Sequence, residues 1–137
     1  MRGADADGVH LILEVEWSIH PGAVTLTPRE RGEFGYTFAV DGEVTVDQQE
    51  LYFRLVRKTR RGLAVRYVED KMFPSGQPYL SSRDMVLKGM LQYDPSDEEL
   101  PLMVIDGQPY SWEAVGRMLS AFEGFHVTIE MADLADV

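Results

Sequence analysis

Six basic side chains crowd the middle of this 137-residue chain. Arg54, Arg57, Lys58 and Arg61 recur at intervals of three and four, so they share one stripe of a helix, with Arg60 and Arg66 close by. A stripe of this kind can grip the phosphates of a nucleic acid or an acidic protein surface. It can equally be the solvated face of an amphipathic helix, or pair inside the fold with an acidic segment. The formal net charge of −10 opposes nucleic acid at long range. Among the functional readings this leaves a protein partner ahead, with Arg54, Arg57, Lys58 and Arg61 as the candidate partner-binding residues.

Other chemistry is sparse. The only histidines are His10, His20 and His126, and none forms an HxH or HxxxH pair. His10 and His20 share a strand face but lie ten residues apart, too far at about 3.3 Å per residue to hold one ion directly. The loop Asp94-Pro95-Ser96-Asp97-Glu98-Glu99 offers oxygen ligands but lacks the spacing and central glycine of an EF-hand. Glu14 and Glu16 sit on one strand face, where paired carboxylates can act as acid and base, yet wet strand faces carry such pairs routinely. There is no G-x-S-x-G, S-x-x-K, Walker or dinucleotide-binding motif. The absence of cysteine removes disulfides, thiolate zinc sites and a cysteine nucleophile. No metal, no cofactor and no catalytic residue is expected, and the chemistry points away from an enzyme.

The elements that would position these residues are legible to different degrees. Ser111 to Phe125, SWEAVGRMLSAFEGF, is the clearest helix. Trp112, Val115, Met118, Leu119 and Phe122 form one apolar stripe, Ser111 is a good N-cap, and Gly124 supplies a left-handed stop. Its two large aromatics mark it as a core organiser. Asp47, with Glu50 three residues on, opens a second helix over 48–61, with Leu51, Tyr52, Leu55 and Val56 as its apolar stripe. Whether 63–69 continues as helix or turns to strand stays open, since Gly62 costs a helix about 1 kcal/mol.

Alternation predicts strands over 9–20, with Leu11, Leu13, Val15, Trp17 and Ile19 on one face, and over Phe34–Val40. Shorter strands are expected at Val24–Thr27, closed by Pro28, and at Leu102–Ile105. Further strands are expected over Met85–Tyr93 and through Val127, Ile129 and Met131. Asp41-Gly42 is a favoured hairpin dipeptide, and Asp106-Gly107 turns the chain in the same way. Residues 70–84, with Pro74, Gly76 and Pro78, read as a long loop.

Length suits one domain over 1–137, with 1–8 and 134–137 frayed. The apolar share is 45% and no run long enough to span a bilayer exists, so no membrane partner is expected and the cytoplasm is the default location. Charge is segregated along the chain. Residues 1–46 hold three basic and eight acidic groups, residues 47–93 nine and five, and residues 94–137 one and ten. Ends of opposite sign can attract a partner or a second copy, which makes a homodimer reasonable, unless the segments interleave in the fold.

Residues 102–133 carry a specific pattern: Ile105-Asp106-Gly107, then Ser111-Trp112, Gly116-Arg117-Met118-Leu119, Glu123-Gly124-Phe125, and Asp133 after the final strand. This resembles the C-terminal signature of a bacterial domain family with no established activity. The resemblance implies a small α+β domain, and the central basic helix is similar to that family's too. If the signature marks a site, Trp112, Arg117 and Glu123 are its polar or aromatic members. The resulting expectation is an α+β domain with an antiparallel or mixed sheet of about five to six strands and two amphipathic helices on one face. Its function is expected to be that of a non-enzymatic cytoplasmic interaction or accessory module, inhibitor-like or immunity-like in character. The alternatives are a small-ligand-binding protein or enzyme with a pocket near loop 70–84, and nucleic-acid binding through helix 48–61.

Overall fold

A computed structural model describes residues 1–32, 34–76 and 78–137. Length alone gives one domain; the contacts divide the chain into two compact units, residues 1–65 with 129–137, and residues 66–128. The fold class is α+β. Among the described residues the strands form three antiparallel sheets rather than one, and each helix packs within its own unit.

In the first unit, β1 (Arg2–Ala4), β2 (His10–His20), β3 (Ala23–Glu30) and β4 (Val40–Glu43) form a sheet in that order, and α1 (Gln48–Leu63) packs on it. The β2–β3 hairpin closes at Pro21-Gly22, where Gly22 takes φ +80°. β3 does not stop at Pro28, which pairs with Val15 and is fully buried. The missing N–H of this proline would have pointed away from β2, on the side where its carbonyl accepts from Phe38 N–H, so the β2–β3 ladder loses nothing. The strand expected over Phe34–Val40 shrinks to a bridge between Arg29 and Thr37 and the start of β4. Asp41-Gly42 is not a turn but part of β4, opposite Thr25 and Val24, and the Asp41 carboxylate accepts from the Thr25 hydroxyl at 2.5 Å.

α1 begins where Asp47 accepts from the N–H groups of Gln49 and Glu50. Leu51 and Leu55 join Leu26 and Val40 in the core, whereas Tyr52 lies outside it and is 41% exposed. Gly62 belongs inside the helix because the Phe38 ring lies against it, where a Cβ would collide. The helix ends at Leu63, which leaves 64–67 as a connection and places Val68 in a strand. Both of the terminal segments 1–8 and 134–137 carry regular structure. β1 pairs with His10–Ile12, and a 3-10 turn at Leu134–Asp136 is capped by Asp133.

In the second unit, the expected loop 70–84 is mostly a hairpin of β5 (Val68–Met72) and β6 (Pro78–Ser82). Its turn is closed by Gly76 N–H to Phe73 carbonyl, and Phe73 stacks on Tyr79 at 4.3 Å. Ser81 and Ser82 are buried, with the Ser82 hydroxyl donating to the Val86 carbonyl, so residue types that look like loop become strand once partnered. β7 (Met90–Gln92), β8 (Leu102–Ile105) and β9 (Gln108–Ser111) form a third sheet. The strand expected from Met85 begins only at Met90, because Met85 takes φ 59° and breaks extension. Asp106 (φ 54°) and Gly107 (φ 75°) make the β8–β9 turn, both left-handed as a type I′ turn requires.

α2 (Trp112–Leu119) is capped by the Ser111 hydroxyl, which accepts from Ala114 N–H, and runs into a 3-10 turn at Ser120–Phe122. Gly124 at φ +88° then stops it, and Phe125 folds back edge-on to Phe122 at 5.6 Å. Its buried anchors are Val115 and Met118, of which Met118 packs with Val68 and Ile105; Trp112 is 41% exposed and lies outside that core cluster. The final strand expected through Val127, Ile129 and Met131 does not form: these residues belong to no strand among the described residues. Alternation sets side-chain faces; it does not supply a neighbouring edge.

Candidate protein-interaction surface

The basic stripe of α1 divides. Lys58 is consumed inside the first unit, its Nζ donating to the carbonyls of Ala39 (2.6 Å), Leu134 (3.1 Å) and Ala135 (3.2 Å). Burial pushes its ammonium below the ordinary lysine value, against the pull of Asp136 and Asp41. Arg54 is also turned inward. One of its terminal nitrogens reaches the Asp41 carbonyl at 3.4 Å, and its Nε is buried with no partner among the described residues. Arg57, Arg60 and Arg61 remain in water, and they share the outer face of α1 with Phe53, which is 57% exposed. The surviving surface is therefore Phe53, Arg57, Arg60 and Arg61. The 3–4 spacing identified a stripe but could not tell its inward members from its outward ones.

The signature residues of the second unit are mostly structural. Ile105 and Met118 are core, Gly107 is turn, Ser111 is cap and Gly124 is stop. Asp106 does most of the holding: its carboxylate accepts from Tyr67 N–H at 3.0 Å and Val68 N–H at 2.9 Å, fixing the start of β5 to the β8–β9 turn. Nothing in the spacing betrays this, since the donors lie nearly forty residues upstream. Burial, then the nearby Asp106 and Asp70, push the Tyr110 hydroxyl above its ordinary pKa. Arg117 pairs with Glu113 one helical turn away, and Glu123 is exposed.

Gly116 faces open space, so a Cβ there meets nothing. A glycine inside a helix costs about 1 kcal/mol relative to alanine, and no packing requirement offsets it here. Gly116→Ala is expected to raise the stability of the second unit by about 0.5 to 1 kcal/mol, read as a higher urea midpoint at unchanged slope. An unchanged or lower midpoint would show that the glycine answers a contact within the fold.

Neither set of acidic or histidine candidates converges. His10, His20 and His126 are all exposed and scattered. Glu14 is bound to Arg31 Nε at 2.5 Å on the surface. The loop from Asp94 lines a shallow depression with Tyr93, Asp97, Glu98 and Glu99. There the Ser96 hydroxyl and N–H, both donating to Asp94, hold its carboxyl below the usual range. Among the described residues no group of three or more His, Asp or Glu is placed to hold a metal ion. None of their helices is long and apolar enough to cross a membrane.

The charge blocks of the sequence mix in the fold. The first unit holds eight basic and thirteen acidic groups and the second five and ten, so each carries −5. The oppositely charged blocks of the sequence therefore do not survive as oppositely charged units.

The chain thus comprises two acidic α+β units, the first of which carries a basic helix face with an exposed aromatic ring. The chain belongs to the family described as domain of unknown function DUF7713, whose model matches residues 67–136. A second model, domain of unknown function DUF7686, matches residues 1–64. The border between the two models, between residues 64 and 67, coincides with the 65/66 boundary of the compact units, whereas residues 129–136 of the DUF7713 match fall in the first unit. No curated protein and no solved structure matches the chain.

Proposed function

We propose that this chain is a non-enzymatic accessory module of the cytoplasm that docks an acidic protein partner on the outer face of α1. One observation carries the reading. With Lys58 and Arg54 turned into the fold, Arg57, Arg60 and Arg61 stay in water beside an exposed Phe53. An aromatic ring flanked by guanidinium groups is the composition of a binding hot spot, where the ring supplies buried area and arginine forks hold carboxylates. The overall charge of −10 restrains the face from binding phosphate backbones indiscriminately.

Affinity capture from a bacterial lysate, with the wild-type chain beside Arg57→Glu/Arg61→Glu, tests the reading. An acidic protein retained by the wild type should bind the double variant at least about tenfold more weakly, since each reversed charge faces a carboxylate. Equal retention by both chains overturns the reading. A labelled DNA duplex shifted at low salt by the wild type, and released steeply as salt rises, would transfer the face to nucleic acid instead.

A further inference from the structure

We propose that β2 pairs edge to edge with β2 of a second copy of this chain, about a two-fold axis through Trp17. β2 is eleven residues long. One edge is covered by β3 from Leu13 to His20. The other is covered by β1 only over His10–Ile12, with Met1 bonded to the Leu13 N–H and carbonyl. Among the described residues no strand covers 14–20 on that side. Backbone groups alternate sides along a strand, so the direction of Leu13 places the N–H and carbonyl groups of Val15, Trp17 and Ile19 on this open edge. A long uncovered edge without proline, bulge or lysine is a template for another strand.

The side chains say which strand fits. Val15 packs against the core cluster of Leu26, Leu51 and Leu55. Trp17 and Ile19 continue the same apolar face beyond the cover of α1 and end in water, 51% and 78% exposed. An antiparallel copy centred on Trp17 sets Trp17 opposite Trp17 and Val15 opposite Ile19, so the apolar layer runs unbroken from one sheet into the next. On the other face Glu16 meets Ser18, and Glu14, which also holds Arg31, meets the imidazole of His20. All three outward-facing residues then fall at hydrogen-bonded positions, giving about six inter-strand bonds. Centring on Glu16 sets that carboxylate against itself, and centring on Ser18 shortens the overlap and leaves Glu14 unmatched. A two-fold pairing of one edge closes on itself, so the product is a dimer and not a fibre.

Sedimentation of the full chain at about 0.1 mM, where a Kd of about 10 μM leaves most chains paired, should give twice the 15.5 kDa monomer mass. Dilution should return the monomer, with amide exchange at Val15, Trp17 and Ile19 accelerating together. Trp17→Lys should abolish the dimer. Ile19→Pro should do so as well, since its N–H bonds to nothing within the sheet, and far-UV circular dichroism should stay native. His20→Glu, which sets a carboxylate against Glu14, should weaken association at least tenfold, and adding Glu14→Lys should restore it. A chain that is monomeric at 0.1 mM overturns the assignment. So does a dimer that survives Ile19→Pro, or one whose dissociation constant His20→Glu leaves unchanged.

Discussion

Asp106→Ala is expected to destabilise residues 66–128 by about 4 kcal/mol. The carboxylate accepts from the Tyr67 and Val68 N–H groups, and hydrogen bonds to a charged acceptor contribute about 1.5 to 3 kcal/mol each. Alanine leaves both donors facing a hole in the turn. It also leaves a β-carbon at φ 54°, where aspartate and asparagine are tolerated better than alanine, at a cost of about 1 kcal/mol. Asp106→Asn retains the turn and one carbonyl acceptor and should lose only about 1 kcal/mol. Urea unfolding ranks the three chains. Amide exchange at Tyr67 and Val68 shows whether the loss is local to the clamp. An alanine variant within about 0.5 kcal/mol of wild type would mean that water replaces the carboxylate there without penalty.

Asp106 also marks the limit of what the sequence reveals. The Asp-Gly dipeptide predicts a turn, and the left-handed pair at 106–107 obeys it. The same dipeptide at 41–42 lies in a strand, because β3 offers Thr25 and Val24 as partners and tertiary pairing overrides turn preference. Helix caps at Asp47 and Ser111 are legible because capping is local chemistry among three or four residues. The burial of Ser81 and Ser82, the inward turn of Lys58 and the exposure of Trp112 all depend on what the chain brings from far away, and no periodicity carries that information. The open edge of β2 belongs to the same class. Alternation located the strand and its apolar face, but only the short reach of β1 shows that half of one edge stays bare.

Lys58→Ala is expected to cost the first unit about 2 kcal/mol and to free its C-terminal turn. Three carbonyls share one ammonium, and that of Ala39 belongs to a buried residue where water cannot readily substitute. Leaving such an acceptor unpaired costs about 1 to 3 kcal/mol. The amides of residues 134–137 should then exchange faster than in the wild type, while the amides of 66–128 are unaffected. The pH dependence separates the cation from the rest of the side chain. Burial lowers the Lys58 pKa in the fold, so between that lowered value and the ordinary lysine value of about 10.4 the unfolded chain holds a proton that the folded one has released. Wild-type stability therefore gains from Lys58 as pH rises through this window and stays level below it. Subtracting the stability of Lys58→Ala from that of the wild type at each pH cancels the other titrating groups, and the difference should climb toward pH 10. A difference that falls instead would mean that the carbonyls and Asp136 hold the charged form more tightly than burial opposes it.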